Sequence, residues 1–244
     1  MTATSVDAMA VVVPIHNEAD HLGACLRSVA TAASAVDVPT LLVTVLDRCS
    51  DDSRRVVATA ADRSPRMEIR AVEGTFSTIG AVRSAGLNEV VRRWPHVSPD
   101  RIWTAHTDAD SVVPPQWLTE QARFAASGVD LVLGTVVPDE PRDSPAHRMW
   151  WSQHELAEGH GAVHGANLGV RLDRLMDVGG FPDNAVDEDV LTVQRLKAAG
   201  VRWLATDTTR VTTSARRAGR IPNGFAAYMR SLDDLVSSEQ TAQL

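Results

Sequence analysis

The sequence predicts an α/β fold in which helices cover both faces of a mostly parallel central sheet. Short apolar, β-branched runs alternate with longer amphipathic stretches through the first half of the chain, the pattern of successive β-α units. The runs are uniformly apolar, as expected for strands buried on both faces. The 244 residues, 44% hydrophobic and 23% charged, are sufficient for one globular domain with a substantial core.

Three β-α units come first. The predicted strands cover 10–15, 40–46 and 67–72, and the helices that follow them cover 18–36, 51–63 and 78–94. A fourth strand, 101–106, leads into an acidic loop and a helix that begins at Pro114 and Pro115, because proline fits the first turn of a helix. The fifth predicted strand covers 130–137.

The alternation of apolar runs with amphipathic stretches ends after Pro138, where a polar segment interrupts it. The late predicted elements are a helix over 187–199 that ends at Gly200, a strand over 201–205 and a helix over 225–236. We therefore predict one domain over 1–244, divided into a first half at 10–137, a second half at 138–220 and a C-terminal helical segment at 221–244.

Composition narrows the function classes. The net charge of -7, from 24 basic and 31 acidic residues, provides no positive field for nucleic acid, so we exclude a general nucleic-acid binder. Lys197 is the only lysine, an arginine bias that indicates a GC-rich, bacterial genome. Cys25 and Cys49 are too few for a disulfide framework and lack zinc-site spacing, which favours a reduced cytosol.

The sequence indicates no targeting or membrane segment. Residues 1–9 contain no basic stretch followed by an apolar run, and no run approaches the roughly 20 apolar residues that span a bilayer. We expect a cytoplasmic protein, with a peripheral contact at the inner membrane face compatible with this pattern.

Residues that follow strands are the first site candidates, because ligands of open parallel sheets bind at the carboxyl ends of the strands. The first strand leads to Asn17 and Glu18, where a dinucleotide-binding enzyme would have a glycine-rich turn. Alone, these two residues indicate a helix cap and a first-turn acid. Asp47, after the second strand, could accept hydrogen bonds from a base or ribose.

Two further acidic groups carry potential chemistry. Asp108 and Asp110 directly follow the fourth strand, and two carboxylates one residue apart can converge on Mg²⁺ or Mn²⁺ and thereby hold a diphosphate. Glu188 and Asp189 begin a predicted helix, where acids also complement the helix dipole. A carboxylate there could take a proton from an acceptor hydroxyl.

A late basic cluster comprises Arg216, Arg217 and Arg220. Guanidinium groups at such positions could bind the phosphate oxygens of a departing diphosphate. A solvated surface is an equally good interpretation for any one of them.

Taken in order, these motifs resemble family 2 glycosyltransferases of the GT-A fold, over about residues 10–220. The motifs are Pro14–Glu18, Asp47, Arg83 within GAVRSAG at 80–86, Asp108–Asp110 within TDAD, GANLGVR at 165–171, GGF at 179–181 and Glu188–Asp189. The resemblance implies a nucleotide-binding first half, an acceptor-binding and catalytic second half, and an inverting transfer from a nucleotide-sugar donor.

The resemblance also implies residue roles. Those expected to bind the nucleotide-sugar are Pro14, Asn17, Glu18, Asp47, Arg83, Asp108, Gly165, Asn167 and Arg217. Asp108 and Asp110 are expected to bind a divalent metal, and Asp189, beside Glu188, is expected to be the general base. His164, Trp150, Trp151 and His154 are candidate acceptor contacts or core residues.

The chain departs from the family pattern in two places. Arg48 stands where relatives often have a second acid, and Ser214–Arg217 contains no histidine for the metal. The second departure leaves Asp110 with diphosphate and water as its partners in metal binding. We predict a UDP-sugar donor ahead of a GDP-sugar donor. The acceptor, whether small molecule, lipid-linked or glycan, is not predicted.

Three alternatives stay open at this point. Asp108–Val112 also matches the motif of haloacid-dehalogenase-like phosphatases, which would make Asp108 a nucleophile and Asp110 its acid/base partner. That motif normally follows the first strand, whereas three predicted strands precede it here. A sugar nucleotidylyltransferase would need a glycine-rich early loop between Val13 and Cys25, and a non-catalytic nucleotide-binding protein is the third alternative.

Overall fold

The computed structural model describes residues 5–63, 67–154, 156–184, 186–219 and 224–242. The strands are β1 Ala8–Ile15, β2 Thr40–Asp47, β3 Glu68–Gly74, β4 Ile102–His106, β5 Ser111–Val112, β6 Leu131–Asp139, β7 Leu168–Arg171 and β8 Trp203–Ser214. The helices are α1 Ala19–Ala33, α2 Ser53–Arg63, α3 Ile79–Arg93, α4 Trp117–Ala126, α5 Pro145–Gln153, α6 Leu172–Asp177, α7 Glu188–Ala198 and α8 Phe225–Ala242. All these strands belong to one sheet in the order β3-β2-β1-β4-β7-β6-β8-β5.

In the first half of the chain, β1, β2, β3 and β4 pair in parallel, and the α/β prediction is confirmed. β1 pairs in parallel with β2 and β4, and β2 pairs in parallel with β3. The predicted strands and helices of this half lie within a few residues of the observed ones. The carboxyl ends of β1, β2 and β4 consequently open at one edge of the sheet.

The second half makes the sheet mixed. β7 runs antiparallel to both β4 and β6, β5 runs antiparallel to β8, and β6 pairs in parallel with β8. The four-residue β7 was not predicted, because a strand this short has no readable period. The predicted strand at 201–205 is the start of the twelve-residue β8, whose later part is rich in threonine and therefore lacked an apolar signal.

The core lies in two layers, one on each face of the sheet. Val11 and Val13 of β1 pack in a cluster with α1, α2 and α4. Val12 lies in the other cluster, with α3, α6 and α7. Successive side chains of a strand point to opposite faces, so one uniformly apolar strand supplies both layers. A smaller cluster joins α5 to α8 through Trp150, Met229 and Leu232.

A helix that crosses a membrane must be both long and apolar. None of the helices within the described ranges meets both requirements.

Close approach of α3 to the sheet requires glycine at position 86. A Cβ atom there would lie 2.5 Å from Cγ1 of Val12 and 3.2 Å from Cγ2 of Val45, whereas a Cβ at Gly23 of α1 would meet only the flexible end of Arg27. We predict that Gly86→Ala lowers the free energy of unfolding by about 1–3 kcal/mol through overpacking. Gly23→Ala, the matched control, should raise it by up to about 1 kcal/mol through helix propensity. Urea denaturation measures both, and equal effects would contradict the prediction.

Candidate functional site

A cavity of about 630 Å³ opens at the carboxyl ends of the parallel strands. The predicted site residues that line it are Pro14, Glu18, Asp47, Arg83, Asp108, Asp110, Gly165, Glu188 and Asp189. These residues come from both halves of the chain, up to 175 positions apart between Pro14 and Asp189. The fold therefore assembles in one place most of the residues that the sequence named separately.

The loops after β1 and β2 are tied together by Asn17. Its backbone is left-handed, with φ of 53°, which asparagine tolerates better than most residues. Its Oδ1 accepts hydrogen bonds from the backbone N–H groups of Ser50 at 2.7 Å and Asp51 at 3.3 Å. Asn17 thus shapes the loops beside the cavity and is not itself among the lining residues.

Asp47 lies at the cavity edge with both carboxylate oxygens engaged. Arg48 donates from Nε to Oδ1 at 3.0 Å and from Nη2 to Oδ2 at 2.8 Å, and the backbone N–H of Phe76 also donates to Oδ1. Burial alone would raise the pKa of Asp47, but these hydrogen bonds hold it below its ordinary value. The carboxylate stays ionised, and Arg48, noted in the sequence only as a departure, joins it on the lining.

Arg83 is the buried centre of the site, with 2% of its side chain exposed. Its Nε donates to Glu188 Oε1 and its Nη2 donates to Asp108 Oδ1, both at 2.9 Å. Burial would lower the pKa of this guanidinium, but Asp108, Glu188 and Asp189 raise it above its ordinary value. A Cβ at Gly165 would lie 2.5 Å from Nη2, so glycine is required beside this network.

Glu188 and Asp189 form the first turn of α7, after Asp187 in a left-handed conformation. Burial raises the pKa of both carboxyl groups, and the positive charge of Arg83 opposes that rise. Asp189 Oδ1 accepts a hydrogen bond from the backbone N–H of Val190 at 2.8 Å. A buried carboxylate with a raised pKa is a stronger base than an exposed one, which suits it to proton abstraction.

Asp108 and Asp110 are paired with different arginines. Asp108 contacts Arg83, and Asp110 Oδ2 lies 3.0 Å from Arg216 Nη2. Burial, together with the negative charges of Asp108 and Glu18, raises the pKa of Asp110 to about 6, although Arg216 opposes the rise. Arg216 also lines the cavity, whereas Arg217 does not.

Asp108 and Asp110 fit part of the ligand set of a divalent metal. Oxygen ligands at this spacing suit Mg²⁺ or Mn²⁺, and a cation would favour the ionised form of Asp110, which burial and the charge of Asp108 disfavour. Within the described ranges, however, no group of three or more His, Cys, Asp or Glu side chains forms a metal site. Asp108 and Asp110 therefore fit a partial ligand set, to be completed by diphosphate oxygens and water.

Asn167 and Arg217 lie away from the cavity lining, contrary to the placement expected from the resemblance. Asn167, 1% exposed, donates from Nδ2 to the carbonyls of Thr135 and Thr209 and accepts from Trp117 Nε1. It thereby fastens α4 to β6 and β8. Arg217 forms ion pairs with Glu140 and Asp233 and fastens α8. Arg220 lies outside the described residues.

Of the four residues expected to contact the acceptor or to lie in the core, only some line the cavity. His164 lines the cavity, and burial together with the nearby His160 and His154 lowers its pKa to about 4. Trp150 is buried and stacks on His154 with ring centroids 4.2 Å apart, so both belong to the packing of α5. Trp151, 40% exposed, lies on a separate groove.

Comparisons with known proteins agree with this geometry. The family model for "Glycosyl transferase family 2" matches residues 10–170. The undecaprenyl-phosphate 4-deoxy-4-formamido-L-arabinose transferase of Sodalis glossinidius is 31% identical over 137 residues, covering 55% of this chain and 38% of that protein. Glycosyltransferase AglE of Haloferax volcanii is 28% identical over 203 residues, covering 79% and 62%. The chain thus spans less than two thirds of either relative.

A solved structure shares the fold. The mannosyltransferase PcManGT from Pyrobaculum calidifontis, in complex with GDP-Man and Mn²⁺, superposes with a TM-score of 0.64 at 21% identity. The match covers 91% of this chain and 60% of that one. This likeness confirms the GT-A fold.

Substitution of Asn167 tests whether this residue stabilises the fold without binding the nucleotide. We predict that Asn167→Ala lowers the free energy of unfolding by about 2–4 kcal/mol, because it leaves buried partners on α4, β6 and β8 without hydrogen bonds. Nucleotide affinity should be unchanged at temperatures where the variant is folded. Asn88→Ala, at an exposed position of α3, is the control. Chemical denaturation and calorimetric nucleotide titration measure the two effects, and a stable variant that loses nucleotide would contradict the prediction.

Proposed function

Because the chain belongs to glycosyl transferase family 2, we propose that this glycosyltransferase moves a sugar from a nucleoside-diphosphate sugar to an acceptor hydroxyl, with inversion at the anomeric carbon. The observation that carries the proposal is the meeting of Arg83, Asp108, Asp110 and Asp189 in one cavity. The family gives no support to the phosphatase alternative, and Asp108, its required nucleophile, already has Oδ1 bound by Arg83. A UDP-sugar is proposed ahead of a GDP-sugar.

The donor would lie along the strand ends. Pro14 and Asp47 are assigned to the base and ribose, since they line the cavity at the carboxyl ends of the adjacent strands β1 and β2. Asp108 and Asp110 would hold Mn²⁺ or Mg²⁺, and the metal, when bound, would neutralise charge on the departing diphosphate. Glu18 and Gly165 line the same cavity and are assigned to the donor side.

Asp189 is assigned as the general base. It is half-buried in the lining, and with Arg83 close by it can be ionised and still have a raised pKa. The acceptor hydroxyl would approach Asp189, transfer its proton to the carboxylate and attack the anomeric carbon from the face opposite the diphosphate. One displacement inverts the configuration, so no covalent sugar-enzyme intermediate is needed.

The acceptor is assigned to Val163, His164, Val186 and Phe225, which also line the cavity. This lining is mostly apolar, and the lowered pKa of His164 keeps its imidazole neutral at physiological pH. Such a surface favours an acceptor with an apolar portion next to its hydroxyl. A lipid-linked acceptor fits this requirement and agrees with the lipid phosphate named in the Sodalis relative. Its use would bring the protein to the cytoplasmic face of a membrane.

A thermal-shift panel tests donor binding. UDP, GDP, CDP and TDP and their sugars, each with Mn²⁺ or with EDTA, are compared by melting temperature. A ligand that binds the native state at 100 times its Kd stabilises it by about 2.7 kcal/mol. We expect a metal-dependent rise with one nucleoside diphosphate, UDP ahead of GDP. Absence of a rise with every nucleotide would overturn the proposed function.

Asp189→Asn tests the general base. We predict that it reduces kcat by about 10²–10⁴-fold while nucleotide binding persists, because the amide cannot accept the acceptor proton. Since the base must be ionised, kcat of the native enzyme should rise with pH through a pKa above the ordinary Asp value, and this pH dependence should vanish in the variant.

Asp177→Asn, remote on α6, is the control. Transfer assays across pH decide, and an unchanged kcat would remove Asp189 from the mechanism.

A further inference from the structure

The guanidinium of Arg216 lies between two carboxylates of the cavity. Its Nη1 is 2.7 Å from Glu18 Oε2 and its Nη2 is 3.0 Å from Asp110 Oδ2. The two acids are 5% and 13% exposed, whereas 30% of the Arg216 side chain is exposed. A positive group of the protein itself thus lies against the Asp110 carboxylate and neutralises part of its charge.

The backbone of Arg216 is held close to the Asp108–Asp110 turn. The N–H of Ser214, the last residue of β8, donates to the carbonyl of Asp110 at 3.1 Å, and the N–H of Arg216 donates to Ser214 Oγ at 3.3 Å. The side chain beyond this anchor has several rotatable bonds and is partly exposed. The guanidinium can therefore leave Asp110 without displacement of β8.

Arg83 and Arg216, which pair with the two predicted metal ligands, differ in their freedom. Arg83 is buried against Asp108 and Glu188, so its position is fixed by the surrounding packing. Arg216 is the more exposed of the two and contacts Asp110, the other predicted metal ligand. A divalent ion that approaches Asp110 is repelled by this guanidinium, because both are cations beside the same carboxylate.

Given the proposed function, on which this inference rests, we propose that Arg216 is a tethered cation that competes with the divalent metal for Asp110. When a metal-bound diphosphate enters, the guanidinium passes from Asp110 to the phosphate oxygens. Arginine pairs well with phosphate because its planar fork donates two parallel hydrogen bonds. The metal therefore binds the free protein weakly and binds together with the donor tightly, which is a positive coupling between the two ligands.

Mn²⁺ titration of the nucleotide-free protein, followed by electron paramagnetic resonance, tests the competition. Arg216→Gln should bind Mn²⁺ about five- to tenfold more tightly than the native protein, as expected for release of a partly exposed ion pair. Arg216→Lys, which keeps the charge, should stay close to native. Arg92→Gln, which removes an equal charge from a surface pair with Glu89, is the control and should not differ from native. Native or weaker Mn²⁺ affinity in Arg216→Gln would overturn the competition.

Calorimetric titration with UDP and GDP in the presence of saturating Mn²⁺ tests the transfer to the diphosphate. Arg216→Gln should bind the nucleotide about tenfold more weakly, opposite in direction to its gain in Mn²⁺ affinity. A merely structural role would lower both affinities together, and that outcome, or an unchanged nucleotide affinity, would overturn the transfer. If the native protein binds neither nucleotide, the proposed UDP- or GDP-sugar donor fails, while the Mn²⁺ titration still decides the competition. Melting temperatures verify that each variant is folded.

Discussion

The buried charge of Arg83 is the constraint on which the site depends. A guanidinium removed from water costs several kcal/mol unless carboxylates compensate it, and loss of one partner from such a pair is strongly destabilising. Glu188 and Asp108 provide that compensation, from positions 105 and 25 residues away in the chain. Their ion pairs require α3, the turn after β4 and the first turn of α7 to meet at one point, and the cavity forms around that point.

The mixed sheet explains how the second half of the chain reaches the same edge. β7 runs antiparallel between β4 and β6, so the segment before it, with Gly165, arrives beside the carboxyl end of β4. β8 returns in parallel with β6 and pairs with β5, which directly follows Asp110. This pairing brings Arg216 to the acidic turn. A sheet that was parallel throughout would leave these residues at other places.

The charge pattern of the cavity matches the chemistry proposed for it. Burial raises the pKa of Asp110, and repulsion from the nearby Asp108 and Glu18 raises it further. Arg83 and Arg216 offset part of this repulsion, one of them from a fixed and buried position and the other from a more exposed one. A divalent cation alone would make the net charge of the cavity more positive, and an anionic donor alone would make it more negative. Bound together, the two ligands would change the net charge little. The electrostatics therefore favour joint binding of metal and donor.

The sequence by itself determined the α/β class, the first strands and helices and most of the residues that line the cavity. Apolar periodicity specifies elements, and the strand-end rule specifies where their polar neighbours gather. Only the tertiary structure decided the roles of neighbours with the same chemistry. Arg216 faces the cavity whereas Arg217 binds α8, and Asn167 fastens strands rather than lining the site. The reason is physical: the direction of a side chain depends on partners distant in sequence, which no local pattern records.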